Sequence, residues 1–145
     1  MPLTLPNGAW LLDWPRTYGE WNQYLQRWEL DPSVMVLALA LGYYSQRVCG
    51  QRLWILSGRR STSEQASLFA RAQAGGSTRP AAKPGDSLHE IGLAFDVGTD
   101  RQLDGREWEC VGRLGEALGL TWGGRFSAYD PNHFQRTGPG AGALA

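Results

Sequence analysis

Ser87-Leu88-His89-Glu90-Ile91-Gly92-Leu93-Ala94-Phe95-Asp96-Val97 is the stretch from which the rest of this chain can be read. From Leu93 to Val97, large apolar residues alternate with a small or acidic one, the period-two pattern of a strand with distinct faces. Alternation puts Gly92, Ala94 and Asp96 on one face and Leu93, Phe95 and Val97 on the other. The first face is bare apart from a single carboxylate, which leaves room for an ion and a substrate. His89 lies seven positions before Asp96, an odd separation that one straight strand would send to opposite faces. A turn at Ile91-Gly92 is therefore required if the two are to meet, and glycine can supply it.

Upstream, Trp21, Tyr24, Leu25 and Trp28 recur at helical spacing and predict a helix over Tyr18 to Leu30. Asp31-Pro32 supplies an N-cap and a proline at the first helical position. The helix that follows is expected to reach about Cys49, ahead of Gly50, and its apolar character all round marks it as the central core helix. Arg52 to Ser57 reads as a strand. Ser61-Thr62-Ser63-Glu64 has capping-box spacing and opens a helix carrying Gln65, Leu68 and Phe69. Residues 74–87, rich in glycine and proline, are expected to be loop. Downstream, Asp104 and Glu107 cap a helix that runs to Leu118 and stops at Gly119. Leu120-Thr121-Trp122 and His133-Phe134-Gln135 are short strands. Helices first and short strands later argue for an α+β fold. A single domain over residues 1–136 is expected, with residues 1–50 as its helical N-terminal part and 137–145 as a flexible tail.

The chain has 145 residues, and its 14 basic residues balance 14 acidic ones, which removes the electrostatic case for nucleic acid as a main partner. A local basic patch is compatible with that balance. Hydrophobic residues make up 42% and aromatics 11%, too many for a disordered chain. The longest apolar run, Val34 to Gly42, is well short of the ~20 residues that a membrane helix needs, so no membrane insertion is expected. The first cation is Arg16, so the start lacks the basic region of a secretory signal. The two cysteines, Cys49 and Cys110, lie in apolar helical patterns and are expected to be buried free thiols rather than a bridge.

Only two histidines occur, His89 and His133. With Asp96 they offer two imidazoles and one carboxylate, the ligand set of a catalytic zinc ion that keeps one position open. Such an ion activates water and polarises a carbonyl. Asp130, three residues before His133, is close enough to serve as the base without being a ligand. Two histidines and a carboxylate also suit a non-haem iron oxygenase, although those ligands usually lie on an all-β scaffold and the helical first half here speaks against one.

The stretch Ser87-x-His89-x-x-Gly92-x-Ala94-x-Asp96 resembles the signature of the M15 zinc peptidases, which include D-alanyl-D-alanine carboxypeptidases and L-alanyl-D-glutamate endopeptidases. Two further blocks match in order. Ser57-Gly58-Arg59-Arg60-Ser61 with Glu64-Gln65 resembles the upstream block, and Trp122-Gly123-Gly124-Arg125-Phe126 with Asp130-Pro131-Asn132-His133-Phe134 resembles the closing one. The resemblance implies a small antiparallel sheet flanked by helices, of the Hedgehog and DD-peptidase kind. It implies one zinc ion on His89, Asp96 and His133, with Asp130 activating water and protonating the leaving amine. Arg60 would hold the substrate carbonyl, a task that suits a permanently charged guanidinium with fixed donors. Arg59 replaces the usual aromatic residue, which leaves open which of the two arginines points inward. Gln65 and Ser87 are expected to line the site or orient ligands, and Trp122 to lie near the cleft, whereas Trp21 and Trp28 belong to the core.

The activity implied is zinc-dependent hydrolysis of a peptidoglycan stem-peptide bond by a monomer. Aspartate at position 130 is similar to the endolysin-like branch, which favours an L-alanyl-D-glutamate endopeptidase made in a host cytoplasm and acting on the wall. A D-alanyl-D-alanine carboxypeptidase is the alternative, and a catalytically silent wall-binding module on the same scaffold is a third reading.

Overall fold

The structure, a computed structural model, describes residues 1–76 and 81–137. Its helix boundaries follow the local signals. α1 spans Tyr18–Trp28, with the Thr17 side chain accepting from the Glu20 N–H. α2 spans Pro32–Tyr44, with Asp31 accepting from the Ser33 N–H and proline in the first turn. α3, Thr62–Gln73, and α4, Gly105–Ala117, each start in a complete capping box, Ser61 with Glu64 and Asp104 with Glu107.

Two features depart from the sequence reading. The long core helix does not run unbroken to Cys49; after Tyr44 it widens into a π-turn over Ser45–Cys49, in which the Gly50 N–H reaches back to the Ser45 carbonyl. Cys49 and Cys110 are joined in a disulfide, with Cα atoms 5.9 Å apart. The expectation of free thiols therefore fails. Apolar patterning marks both positions as inward-facing, but it does not reveal that the π-turn and α4 lie side by side.

Four strands, β1 Leu53–Ser57, β2 Ala94–Thr99, β3 Thr121–Trp122 and β4 His133–Gln135, form one antiparallel sheet in the order β1-β2-β4-β3. Register decides what each face carries. Phe95 lies opposite Phe134, and their rings stack with centroids 5.8 Å apart on the face turned toward the helices. Val34, Met35, Leu39 and Leu41 of α2 are fully buried in the same cluster as Leu53, Phe95, Val111 and Phe134, so the N-terminal part is integral to the core. On the other face Asp96 lies opposite His133 and Ala94 opposite Gln135. A bulge between Ile55 and Ser57 brings Ser57 opposite Asp96, so Ser57, Asp96 and His133 form one row across three strands.

This is the α+β architecture read from the sequence, a small antiparallel sheet with flanking helices. No helix among the described residues is long and apolar enough to cross a membrane. The expected tail lies, beyond Thr137, outside the described residues, as do residues 77–80 of the expected loop.

Candidate metal centre

His89 sits in a short 3-10 turn, Leu88–Ile91, opened by Ser87, whose hydroxyl accepts the His89 N–H at 3.2 Å. The turn ends at Gly92 with φ +73°, the left-handed conformation that glycine adopts without steric penalty. That reversal, required by the odd spacing of His89 and Asp96, brings the histidine back over the bare face of β2. Asp96 stands on β2, and His133 comes from the first position of β4.

Three atoms converge. His89 Nε2 lies 3.5 Å from Asp96 Oδ1, His133 Nδ1 lies 3.0 Å from the same oxygen, and the two ring nitrogens are 3.3 Å apart. A tetrahedral ion with bonds of about 2.0–2.1 Å would hold its ligand atoms about 3.3–3.4 Å from one another. The observed triangle is of that size.

The outer ring nitrogens each meet an oxygen acceptor. His89 Nδ1 donates to the Gly58 carbonyl at 2.9 Å, and His133 Nε2 donates to Gln135 Oε1 at 2.8 Å while the Gln135 amide donates to Thr137 Oγ1. Each ring is thereby oriented by an outer acceptor, with its inner nitrogen turned toward Asp96 and the other ring. Two inner ring nitrogens and a carboxylate oxygen facing one another suit a cation that takes the place of the protons between them. The three side chains are fully buried, and among the described residues they are the one such group of potential ligands.

Arg60 is the inward arginine. Its guanidinium donates to Ser57 Oγ at 3.0 Å, Gln65 Oε1 at 3.1 Å and Asp96 Oδ2 at 2.8 Å. Asp96 thus presents one oxygen to the histidines and the other to Arg60. Burial alone would raise the Asp96 carboxyl; hydrogen bonds with the His133 and His89 rings outweigh it and hold the group well below the usual carboxylate range. Arg59 extends the other way, toward Glu29 at 3.9 Å, and is half exposed. The structure thus separates the two arginines that the sequence left ambiguous. Gln65 is fully buried and ties Arg60 to the Ala82 carbonyl through its amide at 2.8 Å.

Asp130 is buried in the turn ahead of β4 and fixed at both backbone atoms. Its N–H donates to the Gly123 carbonyl at 3.0 Å, and its carbonyl accepts the His133 N–H at 3.1 Å. Gly123 is needed for this approach, because a Cβ there would lie 2.2 Å from the Asp130 carbonyl oxygen. Asp130 is not among the three converging ligands.

Trp122 is a correction. It is 2% exposed and belongs to the main core rather than to a cleft, with its indole against Gly112 and Gly124 and its N–H on the Pro131 carbonyl at 2.6 Å. The adjoining glycines marked a place for the ring to pack, not an opening. Trp21 and Trp28 pack against the core as expected. Sequence reading missed Gln135. Its one available signal was its position two residues after His133 on a strand, which places both side chains on one face.

Residues 81–136 match a family model described as D-alanyl-D-alanine carboxypeptidase, of the M15 peptidase type. No protein of curated function matches significantly in sequence. Among solved structures, the L-Ala D-Glu endopeptidase ChiX of Serratia marcescens is similar with a TM-score of 0.59 at 19% identity, over 80% of this chain and 85% of that one. The vancomycin-resistance D,D-pentapeptidase VanY, in complex with Zn(II), aligns at a TM-score of 0.53 and 20% identity over 95% and 79% of the two chains. The L,D-carboxypeptidase DacB of Streptococcus pneumoniae gives 0.54 and 22% over 75% and 67%. Residues 81–136 thus match an M15-type peptidase model in sequence, and the fold is similar to that of these solved peptidases.

Proposed function

We propose that this protein is a zinc-dependent peptidase of bacterial peptidoglycan, cutting a stem-peptide bond. The observation that carries the reading is the convergence of His89 Nε2, Asp96 Oδ1 and His133 Nδ1 at the spacing of a tetrahedral ion, with both rings oriented by their outer nitrogens. The donor set, two imidazoles and one carboxylate with no thiolate, is that of a catalytic zinc site. When bound there, zinc supplies Lewis acidity toward a water and a carbonyl.

The residues of the chain supply the rest. Asp130, on the loop that delivers His133, takes the proton of the attacking water and returns it to the leaving amine. Both histidines are committed as ligands, so no imidazole remains for that task. Arg60, held in place by Ser57 and Gln65, keeps a fixed positive charge at the site and supports charge developing on the carbonyl oxygen. Gln65 and Ser87 act through Arg60 and the His89 turn rather than on substrate.

The finer reading is an L-alanyl-D-glutamate endopeptidase of the phage endolysin kind. Aspartate at position 130 and the likeness to the Serratia endopeptidase over most of both chains support it. The disulfide fits action in an oxidising compartment at or beyond the envelope. The D-alanyl-D-alanine carboxypeptidase alternative is favoured by the description of the matching family model. Mass spectrometry of purified peptidoglycan digested with zinc-loaded protein separates the two. New glutamyl amino termini support the endopeptidase and released D-alanine the carboxypeptidase. Wall binding with no cleavage, or cleavage that survives both chelation and His133→Ala, would refute the zinc peptidase.

A further inference from the structure

The neutral overall charge conceals an uneven surface. Between the end of α1, the loop from β1 to α3 and the outer face of α3 runs a groove of about 550 Å³, and four of its lining residues are arginines, Arg27, Arg59, Arg60 and Arg71. Its one lining acid, Glu64, is spent in the α3 cap, where its carboxylate accepts the Ser61 N–H at 3.0 Å. Arg71 has no ion pair or side-chain hydrogen bond among the described residues, and Arg59 has only the exposed Glu29 at 3.9 Å. Arg27 lies over the rings of Trp10 and Trp28, at 4.3 and 5.1 Å, which orients its charge without cancelling it. Trp28, Leu56 and Leu68 give the groove apolar surface between the cations.

This groove adjoins the metal centre. Ser57, Gly58 and Arg60 line it, and the same three residues contact the site: Ser57 accepts from Arg60, the Gly58 carbonyl accepts from His89, and Arg60 donates to Asp96. We propose that the groove is a specificity subsite that takes an acidic peptide arm flanking the scissile bond, with Arg71 and Arg59 engaging a free carboxylate of that arm. Guanidinium forks suit carboxylates, and the apolar surface suits small aliphatic side chains such as alanine. A phosphate-bearing wall polymer would use the charge but not the apolar surface or the continuity with Arg60 and Asp96. The inference rests on the peptidase reading for the identity of the arm, and it makes amidation of that carboxylate the chemical feature that the enzyme discriminates against.

Binding tests it independently of cleavage. The probe is a fluorescein-labelled L-Ala-γ-D-Glu-L-Lys peptide with a free α-carboxylate, compared with its α-amide, titrated by fluorescence polarisation against zinc-loaded Asp130→Asn protein. The free acid is expected to bind about fivefold more tightly than the amide, as befits exposed charge pairs. Arg71→Gln in the same background should weaken the free acid to the level of the amide and leave the amide unchanged. Arg113→Gln, on the outer face of α4, should change neither.

Equal binding of acid and amide, or an Arg71→Gln variant that weakens both alike, overturns the proposal. So does competition by polyglycerol phosphate that persists when Arg71 is replaced. Discrimination between acid and amide without any hydrolysis by the unsubstituted protein would defeat the peptidase reading and leave the subsite standing. Hydrolysis without discrimination would do the reverse.

Discussion

Replacing Gln135 by leucine is the perturbation that most sharply tests how the metal centre is oriented. Gln135 is fully buried, and its oxygen accepts the outer nitrogen of His133 at 2.8 Å. That bond keeps a proton on the outer nitrogen, which leaves Nδ1 as the ligand atom when a metal is bound, and stops the ring from rotating. Leucine preserves much of the volume but removes the acceptor. The buried Nε2–H then lacks its partner, at a cost of about 1–3 kcal/mol, and the ring must be ordered at the expense of metal binding. Loss of an outer partner of a metal-bound histidine typically lowers affinity by 10- to 100-fold, about 1.4–2.7 kcal/mol, which is the same range. Competition against a chromophoric chelator at pH 7 would read this as a 10- to 100-fold rise in the zinc Kd. Gln135→Glu keeps an acceptor at the same place and should bind zinc within a few-fold of the unsubstituted protein, though burial of the new charge lowers its Tm. A folded Gln135→Leu protein with an unchanged zinc Kd would refute the reasoning.

Three further outcomes follow from other parts of the structure. The Cys49–Cys110 bridge closes a sequence separation of 61 residues, for which chain entropy gives roughly 4 kcal/mol. Reduction, or Cys49→Ser with Cys110→Ser, should therefore lower Tm by roughly 8–16 °C in calorimetry, and an unchanged Tm would count against the bridge. Arg60→Lys keeps the charge but replaces a fork spanning Ser57, Gln65 and Asp96 with a single point, so kcat/KM should fall by roughly 100-fold with zinc still bound. Activity within fivefold of the original would argue that Arg60 has no part in the reaction. Finally, hydrogen bonds from Arg16, Ser33, Ser61 and Arg125 hold the carboxyls of Glu20, Asp31, Glu64 and Glu109 below their ordinary values. The unfolded chain takes up protons first as pH falls, so this stability is present above about pH 5 and is lost toward about pH 3. A Tm independent of pH across that window would contradict it.

What the sequence made legible was local or repeated. Capping at Asp31, Ser61 and Asp104 depends on residues within one turn, and the left-handed glycine at Gly92 was demanded by the spacing of His89 and Asp96. The ligands could be named because only two histidines exist. What stayed hidden depends on strand register and packing between distant segments. The row Ser57, Asp96, His133 requires a bulge beside Leu56, and Gln135 gains its role only because His133 Nε2 points along β4. The double glycine beside Trp122 suggests a place near the cleft because the third glycine that receives the ring, Gly112, lies on α4. Likewise, the partner of Cys49 lies 61 residues away, across a π-turn that no pattern of apolar residues announced.

X-ray absorption at the zinc edge, on protein loaded with one equivalent of zinc, tests the central claim most directly. The geometry predicts two imidazole nitrogens and one carboxylate oxygen at about 2.0–2.1 Å, with no sulfur and with one imidazole lost in His133→Ala. Sulfur scattering near about 2.3 Å, or a zinc environment unchanged by that substitution, would contradict it.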